Sequence, residues 1–201
     1  MSPQPENPAI SCQAVPHERN EYSPEERLTL LRWAHESILS TIGQREIALE
    51  PPSGHLAEPR GVFTTLYLRG GLRGCVGYPL PIAPLYRAVA ESARAAAFDD
   101  TRFSPVTRDE APQLAISLSV LSPLQPIEPE QVEVGRHGLL ISLAGRRGLL
   151  LPQVPAEHGW DRLTFLEQTC HKAGLPYNAW QGGAKLEAFT AEVFGDKDAE
   201  P

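Results

Sequence analysis

The segment that most constrains the fold is Val62-Phe63-Thr64-Thr65-Leu66-Tyr67-Leu68. Its β-branched and aromatic residues suit a pleated, half-buried surface. Gly70-Gly71 follows as a hairpin signal, and Leu72-Arg73-Gly74-Cys75-Val76-Gly77-Tyr78 supplies the returning strand. Gly74 and Gly77 close to Cys75 mark a bulge or a close backbone approach. A second strand-turn-strand pattern spans residues 138–143 and 148–151, and residues 115–121 alternate Ile116, Leu118 and Val120 with Ser117 and Ser119. Residues 186–194 read as a last strand with Phe189, Ala191 and Val193 on one side. Strands joined by tight turns pair antiparallel.

Helical signals fall before and between these strands. Ser23, Pro24 and Glu26 form a capping box, followed by Leu28, Leu31, Ala34, Ile38 and Ile42 at helical spacing, with a stop at Gly43. Pro84 opens a second helix whose Leu85, Val89, Ser92, Ala93, Ala96 and Ala97 make a small-residue face for close packing. Thr107 and Glu110 suggest a further capping box, and Asp161 caps a helix carrying Phe165, Leu166 and Cys170 that stops at Gly174. The expected fold class is α+β, a mainly antiparallel sheet with flanking helices. Residues 1–22, with Pro3, Pro5, Pro8 and Pro16, are expected to be a flexible arm, residues 23–195 the folded domain, and 196–201 a disordered tail.

Composition narrows the class of function. Eighteen basic against 25 acidic residues leave a charge of −7, which disfavours a nucleic-acid binder or a helix docked on anionic lipid. Three widely spaced cysteines imply no disulfide framework. The polar, proline-rich start does not resemble a secretory signal, and no stretch approaches the roughly 20 apolar residues of a membrane span. The expected location is cytoplasmic, with no cofactor and no metal, since no ligand pair has zinc-finger or metalloprotease spacing.

Leu72-Arg73-Gly74-Cys75-Val76-Gly77 resembles the Leu-Arg-Gly-Cys-Ile-Gly signature of the AMMECR1 domain family, with valine for isoleucine. Asp100-Thr101-Arg102-Phe103-Ser104-Pro105, Gly148-Leu149-Leu150-Leu151-Pro152-Gln153-Val154, Glu157-His158-Gly159-Trp160-Asp161 and Cys170-His171-Lys172-Ala173-Gly174-Leu175 agree in order. The resemblance covers roughly residues 24–195. It implies a two-lobed α+β fold with a cleft. It also implies the company of a Memo-like protein and a radical-SAM protein, and no settled reaction.

Cys75 is the sharpest candidate. Gly74 and Gly77 would let a ligand approach the backbone, and Arg73, two residues away on an extended strand, would share the thiol's face as an anion holder. The alternative is a cysteine packed as a small hydrophobe, with Arg73 in a structural salt bridge. Glu157 and His158 are the acid–base candidates, set in a loop between a strand and a helix, with His158 as a base for Cys75. Their other reading is a cap and a solvated loop residue. Arg102, Gln153 and Trp160 are candidate ligand contacts, or else a local ion pair with the preceding aspartates and a core tryptophan. Two functions are expected from this: a thiol-dependent enzyme or small-molecule-binding protein around residues 72–77, or a non-catalytic interaction module.

Overall fold

The computed structural model describes residues 21–198. Two four-stranded antiparallel sheets and four helices make up the α+β fold. The first sheet has the order β2 (Gly71–Tyr78), β1 (Val62–Leu68), β3 (Leu114–Leu121), β8 (Ala191–Gly195). Its inner face, with Val62, Leu66, Ile116, Leu118, Val120 and Phe194, is covered by α1 (Pro24–Ile42) and α2 (Leu85–Phe98). The α2 face expected from sequence is fully engaged: Leu85, Val89, Ser92, Ala93, Ala96 and Ala97 are all buried. Small side chains let the helix sit close to the strands, and the polar atoms enclosed there are paired, Thr64 with Ser92 at 2.7 Å.

The α1 stripe is formed as expected at Leu31, Ala34, Ile38 and the partly buried Ile42, and departs from the expectation at its start. Leu30, Leu31, Ala34, Ser37 and Ile38 are buried, whereas Leu28 is exposed. Its capping box is present as read, Ser23 Oγ accepting from Glu26 N–H and Glu26 from Ser23 N–H. The first hairpin turn is Arg69-Gly70, both at positive φ, rather than Gly70-Gly71, so Gly71 already pairs with Leu68. Ala144-Gly145 makes the same two-residue turn in the second hairpin.

The second sheet has the order β4 (Gln125–Pro126), β7 (Lys185–Phe189), β5 (Gly138–Leu143), β6 (Arg146–Leu150). It carries its own apolar cluster with α4 (Arg162–Lys172), in which Phe165, Leu166 and Cys170 meet Leu139 and Ile141. The strand expected over residues 186–194 is in fact two, β7 and β8, and they belong to different sheets. The chain changes sheets at Thr190, where Ser122 N–H donates to Thr190 C=O (2.9 Å) and Thr190 N–H to Ser122 Oγ (3.0 Å). One period-2 pattern therefore runs through a corner that sequence alternation does not register.

Most of the expected arm and tail lies outside the described residues. Their described ends are packed. Tyr22 is 1% exposed against Phe194, and Asp196 accepts from Ile116 N–H (2.7 Å). No helix among the described residues is long and apolar enough to cross a membrane.

Gly74 sets the distance between β2 and α2, because a Cβ there would overlap the carbonyl oxygen of Ala96. Both partners are backbone, so neither can turn aside. Gly74→Ala is expected to destabilise the fold by about 1–3 kcal/mol, read as a lower urea midpoint at unchanged slope; an unchanged midpoint would contradict this packing.

Candidate functional site

Strand β2 is an edge strand, and its outer edge is closed by the segment between α2 and β3. Leu66 pairs with Gly74 and Tyr67 with Leu72, which leaves Arg73 as the extra residue of a bulge. The bulge breaks the period-2 alternation that would have set Arg73 beside Cys75. The Arg73 guanidinium instead grips Glu110 through Nε (3.2 Å) and Nη2 (3.0 Å), and donates to the carbonyls of Ser104 (2.9 Å) and Pro105 (3.3 Å). Its donors are committed to the fold, so the expected anion-holding role of Arg73 is corrected to that of a structural clamp.

Two residues on, both backbone polar groups of Cys75 face away from β1. Its N–H donates to Asp100 Oδ2 (2.9 Å) and its C=O accepts from Arg102 Nη2 (3.3 Å). Asp100 and Arg102 are themselves paired at 2.7 Å, so together they present the acceptor and donor that a further strand would have offered. The bonds from Arg102, and then from the Cys75 N–H, hold the Asp100 carboxyl well below the usual carboxylate range. Bonding to Asp100 first, with Cys75 adding to it, raises the Arg102 pKa. The guanidinium next to Cys75 is thus Arg102, exposed over much of its length; it lies over the Phe103 ring, 5.5 Å from the centroid, and its Nη1 makes no hydrogen bond among the described residues.

The Cys75 sulfur lies on the outer face of the first sheet, half-buried, and accepts from Thr65 Oγ1 at 3.4 Å. Thr65 pairs in register with Ser117, and Ser117 with Gly195, so one row of small residues crosses the sheet from the sulfur. Gly74 and Gly77 do not open the backbone to a ligand as expected. Ala96 fills the space at Gly74, and the Phe63 ring lies where a Gly77 side chain would be.

The other expected site residues gather elsewhere. Gln153 and Glu157 are exposed at the two ends of α3 (Gln153–Glu157), an element the sequence reading placed in a loop. His158 caps that helix and stacks on Trp160 with ring centroids 4.7 Å apart. Trp160 packs against the second apolar cluster. Among the described residues no hydrogen bond, ion pair or ring contact links this group to Cys75; the side chain at the sulfur is Thr65, not His158. Cys170 is fully buried as expected of a core residue, and burial pushes its thiol pKa up.

Thr65, Glu110 and Ser117 were not singled out by sequence. The Thr107–Glu110 capping box was a signal for Glu110, and the box is formed, Thr107 N–H donating to Glu110 Oε2 at 2.9 Å. Its second bond to Arg73 joins residues far apart in the chain. Glu21, His55 and Glu58 also bring their ligating atoms within 4.8 Å of one another on the surface. There the Arg60 guanidinium already bridges Glu21 (2.6 Å) and Glu58 (2.8 Å), supplying the positive charge these carboxylates need.

A family model described as AMMECR1 matches residues 31–194. A Methanopyrus kandleri protein is 42% identical, over 88% of this chain and 91% of its own length, and a Thermococcus kodakarensis protein is 43% identical over 84% and 89%. Both carry only locus-style names. The solved structure of an uncharacterized protein from Pyrococcus horikoshii matches with a TM-score of 0.71 at 42% identity, covering 84% of this chain and 90% of that one.

The Arg73 bonds, and then those from Thr107, hold the Glu110 carboxyl down to about 2, against an ordinary value of 4.5. A folded-state value below the unfolded one stabilises the fold above the unfolded pKa and loses that contribution as pH falls toward the folded one. Glu110→Gln is expected to cost about 1–2 kcal/mol at pH 7, between an exposed and a buried pair. In urea titrations the gap to wild type closes between pH 4.5 and about 2; a gap independent of pH in that window would contradict the clamp.

Proposed function

The chain belongs to the AMMECR1 family, and from that premise we propose that it is a small-molecule-binding protein in which the Cys75 thiol meets an anionic ligand held by Arg102. The observation that carries this reading is the Arg102 guanidinium reaching the Cys75 carbonyl at 3.3 Å, with its Nη1 making no hydrogen bond among the described residues, beside a sulfur on an open sheet face. A guanidinium presents paired N–H donors that suit a carboxylate or phosphate. The neighbouring Thr65 and Ser117 are small, which leaves room over the sulfur.

A non-catalytic docking module, with a Memo-like or radical-SAM protein as partner, is the second reading. Leu72 and Val193 favour it, being exposed at opposite edges of the same sheet face, 46% and 58% respectively. Leu72→Glu and Val193→Glu would then release a partner that Cys75→Ser retains.

Paired alkylating agents test the thiol reading in the full chain carrying Cys12→Ser. Iodoacetamide is neutral and iodoacetate is anionic; with either, a sulfur–CH2 bond forms as the carbon–iodine bond breaks, releasing iodide and the thiol proton. Mass mapping is expected to find Cys75 modified in the native protein and Cys170 modified only as the fold opens. Arg102→Gln is expected to lower the iodoacetate rate by about three- to fivefold relative to iodoacetamide, the size of a partly exposed charge contact. Equal protection of the two cysteines, or an unchanged ratio of rates, would remove the basis of this reading.

A further inference from the structure

A cavity of about 370 Å³ lies on the outer face of the first sheet, lined by Tyr67, Ala115, Ser117, Gly195 and Lys197 among others. Its volume falls within the range of about 300–1,000 Å³ usual for small-molecule pockets. The register explains its shape. Tyr67 pairs with Ala115, and Thr65 with Ser117 and then Gly195, so an aromatic side chain stands next to a floor of very small ones. At Gly195 the close approach of β3 leaves no space for a side chain, since a Cβ there would lie 2.7 Å from the Ile116 carbonyl oxygen. That floor is flat because its side chains are small or, at Gly195, absent.

Lys197 is the charged side chain lining the cavity, and among the described residues it has no ion-pair partner. Its position is fixed by its neighbour. The Asp196 carboxylate accepts from the Ile116 N–H (2.7 Å) and from His35 Nε2 (2.9 Å), which pins the turn Asp196–Asp198 to both β3 and α1. Both bonds fall on Asp196 Oδ2, and the ion pair that Asp196 makes is with His35. The Ser117 hydroxyl has no hydrogen-bond partner among the described residues. A cavity beside α1 and α2 is different in kind: Arg87 and Arg94 line it, but so does Glu91 between them. A third, around Leu163, Leu166 and Trp180, is mainly apolar apart from Arg162 and Glu130, which are themselves joined by an Arg162 bond to the Glu130 carbonyl.

We propose that the Tyr67–Lys197 cavity binds a flat aromatic carboxylate, its ring against Tyr67 and the Ala115–Gly195 floor, its carboxylate on the Lys197 ammonium and the Ser117 hydroxyl. A planar ring suits a floor of very small side chains, and aromatic rings pack favourably against one another. The charge of the cavity selects an anion. The site lies across β1 from Cys75 and goes beyond the thiol reading without depending on it.

Benzoate titrated into the ¹⁵N-labelled full chain tests the assignment, with benzyl alcohol as the neutral control. Saturable shifts are expected at the amides of Gly70, Ser117 and Gly195. Lys197→Gln is expected to weaken benzoate by about three- to fivefold while leaving benzyl alcohol unchanged. Ser117→Phe, if its spectrum remains that of the folded chain, is expected to abolish the saturable shifts by filling the cavity. Cys75→Ala and Arg102→Gln are expected to leave benzoate binding as it is, which separates this site from the proposed thiol site. Shifts that never saturate, that map elsewhere, or that are unaffected by Lys197→Gln would overturn the assignment.

Discussion

The edge of β2 depends on a set of charged bonds to the segment that follows α2. An edge strand exposes backbone donors and acceptors, and a bulge leaves one residue without a partner on the neighbouring strand. Here the bulged residue, Arg73, turns that defect into an attachment. Its guanidinium holds Glu110 and two successive carbonyls, while Asp100 and Arg102 close the Cys75 N–H and C=O. The result fastens β2 to a connection that would otherwise be a loose loop between α2 and β3. Several of these groups are partly shielded from water, where charged hydrogen bonds are stronger than on an open surface.

This attachment also decides what is left for chemistry. The Cys75 backbone is bonded and its half-buried side chain makes its hydrogen bond with Thr65. Arg73, by contrast, has its donors engaged by Glu110, Ser104 and Pro105, and the guanidinium beside Cys75 is that of Arg102. The small residues of the outer face matter for a related reason. Thr65, Ser117 and Gly195 would be ordinary positions if another layer packed over them, as α1 and α2 pack over the inner face. Ser117 and Gly195 instead border a cavity whose rim carries Lys197, and Thr65 lies between that cavity and the Cys75 sulfur.

Much of the architecture could be read directly from the chain. The hairpins, the capping box at Ser23, the small-residue face of α2 and the burial of Cys170 all follow from local patterns, because turns, caps and amphipathic faces are set by residues a few positions apart. The bulge was also signalled, by the glycines around Cys75. Its consequence was not. A single extra residue changes which side chains are neighbours beyond it, and nothing in Leu72-Arg73-Gly74-Cys75 states that Arg73 will meet Glu110 or that Thr65 will meet the sulfur. The split of residues 186–194 into β7 and β8 escaped for the same reason: alternation continues across Thr190 while the sheet changes.

By itself the sequence determined the class of fold, the family, and that the region around Cys75 is unusual in its glycines and its arginine. Only the tertiary structure decided which of those features hold the chain together and which are left without a structural partner. The cause is the range of the interactions. Turn geometry and helix periodicity act within a few residues, whereas the partner of a guanidinium, the occupant of the space beside a glycine and the accessibility of a thiol are settled by segments tens of residues away.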